Sequence, residues 1–197
     1  MTHLLGLLPP LPRHASDMQA LLNTQDVIAL QRVFREAGTR DTCELGTFYG
    51  GSAVLGAQYA LARGTRHWCI DQFGRPDSKF PFEPSMEIAW AHLRAEDLHT
   101  YAVLVAGTTQ SVGAMFADHV FGGLFIDSAH CAEWVPLDIA WADRAVAPGG
   151  LVALHGFFDD NRYDGYQAAG EAAAAEHGWT QAMHSGSTRV YQRPGTA

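Results

Sequence analysis

The 197-residue sequence predicts a doubly wound α/β fold: a mostly parallel seven-stranded sheet with one antiparallel strand and helices on both faces. Three observations predict it. Short apolar runs alternate with segments whose apolar residues recur at three- and four-residue intervals, the signature of strands alternating with helices. The runs are apolar throughout, as in strands of a parallel sheet buried on both faces. The last two strand-like runs, WTQAMHS and TRVYQR, are separated only by a turn at Ser185-Gly186, too short for a crossover helix, so one strand runs antiparallel.

In order along the chain, Met18, Leu21, Leu22, Val27, Ile28, Leu30, Val33 and Phe34 give helical spacing from Ser16 to Ala37, broken around Asn23-Thr24. A strand, DTCELGT, follows Gly38, then a helix, GGSAVLGAQYALARG, closed by Gly64, and a second strand, HWCID. The long loop DQFGRPDSKFPFEPS precedes a helix at MEIAWAHLRAEDL, the strand YAVLVAG, a helix through SVGAMFADH and the strand GGLFIDS. A helix from Glu133 to Ala145, the turn APGG, the strand LVALH, an alanine-rich helix GYQAAGEAAAAEHG and the closing hairpin complete the order. Residues 1–38 read as an N-terminal arm with helices, and 39–197 as the α/β core of a single domain. The helical residues Trp90, Leu93, Trp134, Leu137, Ile139 and Trp141 read as core or subunit contact, so a homo-oligomer stays open.

Lys and Arg number 13 against 21 Asp and Glu, a formal charge of −8. That balance, with no basic run, argues against binding nucleic acid or an anionic membrane through charge. A chain of this size buries about 70% of its unfolded surface, enough to stand without disulfides. Cys43, Cys69 and Cys131 are widely spaced and read as reduced core residues. The opening MTHLLGLLPPLPR has no cationic lead-in and is broken by Pro9, Pro10 and Pro12, the expectation being a cytoplasmic protein.

Ligands of such sheets bind beyond the carboxyl ends of the strands, near the switch in strand order. The first exit reads Glu44-Leu45-Gly46-Thr47-Phe48-Tyr49-Gly50-Gly51-Ser52. Its glycines allow a tight turn and close approach to a ligand, and the following helix offers unpaired N–H groups. The spacing is not GxGxxG, and an acid at Glu44 repels phosphate while suiting a cationic amino-acid group. The second strand ends at Asp71, where a carboxylate can accept both hydroxyls of a ribose. A sugar-bearing, phosphate-free ligand fits both acids.

CELGTFYGGSAV, HWCIDQF and GGLFIDSAHCAEWVPLDIAWADRAVAPGGLVALHGFFD resemble the successive motifs of class I S-adenosylmethionine-dependent methyltransferases. Within them they are most similar to the small O-methyltransferase-like branch whose fourth strand reads FID-x-x-H and whose fifth ends in His-Asp, over residues 40–160. The resemblance implies that Glu44, Gly46, Thr47 and Gly50 line the methionine moiety, with Phe48 in the same loop and Ser52 near the carboxylate. It implies that Asp71 holds the ribose, Gln72 and Phe73 lie beside the adenine edge, Gly107 and Thr108 flank the base, and Asp127 adjoins the cofactor. The implied activity is methyl transfer from S-adenosylmethionine to a small-molecule acceptor, a hydroxyl oxygen in the leading reading.

The exits of the fourth and fifth strands bring Asp127, His130 and His155 to one rim. His130 is the candidate general base, since an imidazole titrates near neutrality, at about 6.5, and Asp127 could orient it. Metal-dependent relatives place an acid after the fifth-strand His, whereas this chain has Gly156. Asp127, His130 and His155 could instead form a two-histidine, one-carboxylate set favouring a transition metal over magnesium, so a divalent ion stays open. The loops Phe157 to Tyr166 and Phe73 to Pro84 are candidate walls for an aromatic or apolar acceptor. Two alternatives remain at this point: an NAD(P)-dependent oxidoreductase, and a cofactor-binding protein without catalysis.

Overall fold

The computed structural model describes residues 22–74, 84–160 and 162–195. Its elements are α1 (Thr24–Glu36), β1 (Asp41–Leu45), α2 (Gly51–Arg63), β2 (His67–Asp71), α3 (Met86–Ala95), β3 (Ala102–Ala106), α4 (Thr109–Val112), β4 (Phe121–Ile126), α5 (Val135–Ala145), β5 (Val146–His155), α6 (Tyr166–Glu176), β6 (Thr180–Ser185) and β7 (Thr188–Gln192). The seven strands lie in the order β3-β2-β1-β4-β5-β7-β6. All pairings from β3 to β5 are parallel, and β7 runs antiparallel to both its neighbours. The chain walks outward from β1 through β2 to β3, then returns to β4 on the other side. The switch in direction therefore lies between β1 and β4, and a crevice opens at their carboxyl ends.

Side-chain parity divides the core. Cys43, Leu45, Leu124, Ile126, Val152 and Leu154 pack against α5 and α6 on one face. Phe125 and Ala153 point the other way, against Leu30, Val33 and Phe34 of α1 and Leu55 and Tyr59 of α2. A smaller cluster joins α2 and α3 through Val54, Cys69 and Leu93. Helix α1 starts where the sequence reading places its break: the Asn23 side chain accepts from the Gln25 and Asp26 amides, while Asp26 accepts from the Asn23 amide, a capping box. The stretch of that reading from Ser16 to Leu21 lies outside the described residues.

Several expectations need correction. The helix expected through SVGAMFADH is a single α-turn followed by a 3₁₀ turn at Gly113–Met115. The Gly113 carbonyl accepts from the Trp141 indole at 3.3 Å and the Arg144 guanidinium at 2.6 Å, so tertiary partners take the acceptor that an α-helix would use. The turn APGG is absorbed into β5, where the register jumps from Phe121 opposite Val146 to Gly123 opposite Leu151. Of the helical residues read as core or subunit contact, Leu93, Ile139 and Trp141 are buried in the core, and Trp90, Trp134 and Leu137 lie exposed on the single chain, as the contact half of that reading requires. Cys43 and Cys69 are buried thiols, whereas Cys131 is only partly covered. No helix among the described residues is long and apolar enough to cross a membrane.

The glycine pair that opens β4 lets α1 lie flush on the sheet. A Cβ at Gly122 would meet the Ala37 carbonyl oxygen at 2.0 Å. Because the obstacle is backbone, Gly122→Ala is expected to destabilise the fold by about 1–3 kcal/mol, measured as a lower urea midpoint with an unchanged slope.

Candidate active site

The strand exits enclose a cavity of about 540 Å³. The β1–α2 loop supplies Gly46, Thr47, Phe48 and Tyr49, and the start of α2 supplies Ser52; Asp71 and Gln72 come from the β2 exit, and Gly107 and Thr108 from the β3 exit. Asp127, Ser128 and His130 come from the β4 exit, with His155, Phe158, Arg162 and Tyr163 around β5 and its loop. The structure thus brings most of the expected cofactor residues to one wall and the polar trio to another.

Two constraints shape the glycine loop. Gly46 has φ +89°, and a Cβ there would meet the Asp127 carbonyl oxygen at 2.1 Å, so the β1 exit is pressed against the β4 exit backbone to backbone. Asp71 then folds the loop: one of its oxygens accepts from the Thr47 amide at 2.7 Å and the Phe48 amide at 2.9 Å, and the other from the Phe73 amide at 3.0 Å. A carboxylate offers about four lone-pair sites, so Asp71 retains capacity for a ligand hydroxyl. Among the described residues no side chain caps α2, which follows the left-handed Gly50, so its first amides face the cavity side as donors for an anionic group.

Three expected cofactor residues do not line the cavity. Gly50 packs against α3, where a Cβ would meet the Ala89 Cα at 2.9 Å, and Phe73 lies outside the wall. Glu44 is fully buried on the α2 face of β1, its Oε2 3.4 Å from the His67 Nε2. Strand alternation explains this: with Cys43 and Leu45 facing α5, the residue between them faces α2.

At the rim, Asp127 is the hub. Its Oδ1 lies 2.7 Å from the His155 Nδ1 and 3.1 Å from the His130 Nε2. The His155 Nε2 meets the Ser187 hydroxyl at 3.0 Å and Asp26 of α1 at 3.7 Å. Burial pushes the His155 pKa down, but the charge and hydrogen bond of Asp127, with those of Asp26, outweigh it and raise the pKa to about 10. Burial likewise raises Asp127, yet the two histidines hold it well below the usual carboxylate range. His155 is therefore an imidazolium between two carboxylates at neutral pH. His130 stacks face to face on Tyr163, with ring centroids 4.3 Å apart, and lines the cavity.

Donor atoms of Asp127, His130 and His155 lie within 4.8 Å of one another. Both His155 nitrogens already have partners, Asp127 on Nδ1 and the Ser187 hydroxyl on Nε2, and no chemistry below is routed through an ion. The missing acid at 156 has a physical counterpart. A Cβ at Gly156, φ +107°, would meet the His130 ring at 2.5 Å and the Tyr166 ring at 2.7 Å.

Sequence reasoning missed Asp138, Ser128, Trp134 and Asp26. Asp138, buried in the first turn of α5, accepts from the Thr109 hydroxyl at 2.7 Å and the Ser128 hydroxyl at 2.6 Å, tying the β3 and β4 exits together. Burial raises its pKa despite those two bonds. Asp26 accepts from the Ser187 amide and the Thr188 hydroxyl as well as the Asn23 amide. An N-cap box is visible in a sequence, but not the partner across the fold.

These pKa shifts set the pH dependence of stability. A raised histidine contributes fully below about 6.5 and loses its contribution as pH rises through about 10. Asp127, lowered from 3.8, contributes above that value and loses its contribution as pH falls below it. His155→Gln is expected to cost about 3–5 kcal/mol near pH 6 and to flatten the decline of stability between pH 6.5 and about 10. Denaturant unfolding at a series of pH values measures both.

Comparison with known proteins gives the family. Residues 43–157, more than half of the chain, match the methyltransferase domain family. Cofactor-bound Rv0187 from MTB superposes with a TM-score of 0.68 at 18% identity, covering 92% of this chain and 87% of that one. TomG from Streptomyces achromogenes, an O-methyltransferase involved in tomaymycin synthesis solved with SAM, gives 0.63 at 18% identity, with coverage of 92% and 87%. An O-methyltransferase from Bacillus cereus solved with SAH gives 0.61 at 16% identity, covering 93% and 84%. A search of curated proteins finds no match. With its strand order, its cradle at the β1–β4 switch and the matched span agreeing, the chain belongs to the methyltransferase domain family.

Proposed function

We propose that the protein transfers a methyl group from S-adenosylmethionine to a hydroxyl oxygen of a small-molecule acceptor. The observation that carries this reading is the β1–α2 loop, folded by Asp71 and held against Asp127 within the span that matches the family. The solved relatives with SAM or SAH support the choice of cofactor. In this reading Gly46 and Thr47 lie along the methionine chain, and the uncapped α2 amides with Ser52 receive its carboxylate. Asp71 receives the ribose hydroxyls, while Gln72, Gly107, Thr108 and Ser128 surround the base. When bound, the sulfonium supplies an electrophilic methyl carbon for in-line displacement, the C–S bond breaking as the C–O bond forms.

The residues of this chain orient the acceptor and take its proton. Phe158, Tyr163, Trp134 and Tyr49 give the cavity its aromatic surface. His130, whose Nε2 lies 3.1 Å from the Asp127 carboxylate, lines the cavity and is the group assigned to take the acceptor's proton. The His155 imidazolium offsets the Asp127 charge, so that Asp127 positions His130 without competing for the proton. The acidic balance of the chain supports a small acceptor over nucleic acid, and the cytoplasmic reading rests on the sequence alone.

Titration calorimetry with S-adenosylmethionine, S-adenosylhomocysteine and NAD tests the cofactor. The first two are expected to bind and NAD not to; NAD binding in their place would return the oxidoreductase reading. Gly46→Val is expected to abolish binding, since its side chain enters the Asp127 carbonyl. His130→Ala should keep S-adenosylhomocysteine affinity while turnover on a phenolic or aliphatic alcohol found by screening drops by roughly 10²–10⁴-fold. Undiminished turnover removes His130 from the chemistry, and cofactor binding with no acceptor turned over favours the non-catalytic alternative.

A further inference from the structure

The polar side chains beneath α2 take no part in the cavity. The two-residue period of strands places Thr42 and Glu44 of β1 and His67 and Cys69 of β2 on one face, with Thr42 opposite His67 and Glu44 opposite Cys69 in the parallel register. Thr42, Glu44, His67 and Cys69 are all fully buried. Donor atoms of Glu44, His67 and Cys69 lie within 4.8 Å of one another.

The hydrogen bonding around them is incomplete. Neither oxygen of Glu44 receives a well-directed hydrogen bond among the described residues, although the Cys69 thiol lies close enough to interact with it, and the His67 Nε2 makes none while facing Glu44 at 3.4 Å. The His67 Nδ1 pairs with the Thr42 hydroxyl at 2.9 Å, which fixes the ring and directs Nε2 at Glu44. The ring cannot turn away: Gly56 of α2 has no room for even a Cβ, which would meet it at 2.4 Å, and Phe34 packs edge-on from the other side. A buried carboxylate facing an imidazole nitrogen without a satisfied hydrogen bond is costly unless a cation joins them.

We propose that Glu44, His67 and Cys69 bind one zinc ion, with the adjacent Thr47 hydroxyl or a water as the fourth ligand. Thiolate, imidazole and carboxylate together are a zinc donor set, and the Thr42 bond to Nδ1 is the outer-shell contact that orients a ligating histidine. Bonds of about 2.0–2.3 Å in a tetrahedron separate ligand atoms by roughly 3.3–3.7 Å. The Glu44–His67 distance already meets that spacing. The Cys69 thiol releases its proton to solvent as the dication enters, so that a thiolate and a carboxylate together balance its charge. The ion ties the ends of β1 and β2 together just before Gly46 and Asp71, the two residues that shape the cofactor loop. This site shares no residue with the Asp127 rim and does not depend on the activity proposed above.

The test is to unfold the full chain, refold it with zinc or with cobalt(II), remove loose metal by gel filtration, and measure metal content and the electronic spectrum. About one equivalent of zinc should be retained. The cobalt form should show intense tetrahedral visible bands and a near-ultraviolet thiolate charge-transfer band. Cys69→Ser should lose that band and at least about tenfold in metal affinity, whereas His130→Ala should keep both. Retention of no metal by the refolded wild-type chain overturns the proposal. So does a cobalt spectrum without thiolate character, or metal that depends on His130 rather than Cys69. Should Cys69→Ser fail to fold, the wild-type cobalt spectrum and the His130→Ala comparison decide the matter.

Discussion

The backbone contact between Gly46 and the Asp127 carbonyl governs the rest of the site. It brings the exits of β1 and β4 together at the point where strand order reverses, so the crevice there is shaped by main chain. Because the loop turns at that contact, its next two amides reach Asp71. Because Asp127 is pinned through its own backbone, with its amide also bonded to the Leu45 carbonyl at 2.8 Å, its side chain can serve two histidines at once. A larger residue at 46 would displace the cradle and the rim in one step.

The five acids around this region are compensated in different ways. Asp127 and Asp26 share one imidazolium, Asp138 has two hydroxyl donors and no cation, Asp71 has three amides, and Glu44 faces a histidine and a thiol. Burial penalises the charged form in every buried case, and the compensation decides the outcome. Asp127 is lowered because a positive ring lies at 2.7 Å, while Asp138, with neutral donors only, is raised. The same residue type thus serves as counter-ion, loop anchor or bridge between strand exits according to what surrounds it.

Much of the fold was legible because it rests on local signals. Apolar runs marked the strands, the short closing turn implied the antiparallel β7, and the Asn23 break marked the start of α1. The residues at the strand exits were also legible, since topology brings exits together whatever the details. What could not be read depended on contacts distant in sequence. The helix after β3 stops because Trp141 and Arg144 claim the Gly113 carbonyl. Glu44 turns under α2 because its strand neighbours face the other way, a parity visible in the sequence without any indication of which face carries the cavity. Asp26 carried no signal in the sequence, and its contact with His155 crosses most of the chain.

That contact bears on how the site comes into being. Asp26 belongs to the first described helix, Ser187 to the final hairpin, and both close on His155 from its far side. Domains tend to fold as units as they emerge during synthesis, yet the imidazolium lacks one of its two flanking groups until the last hairpin has threaded β7 between β5 and β6. A nascent or truncated chain could therefore build the glycine cradle while its charge network is still unfinished. Competence at the rim is in that sense a property of the joined ends, and loss of either end would be felt at His155 before it reached the cradle.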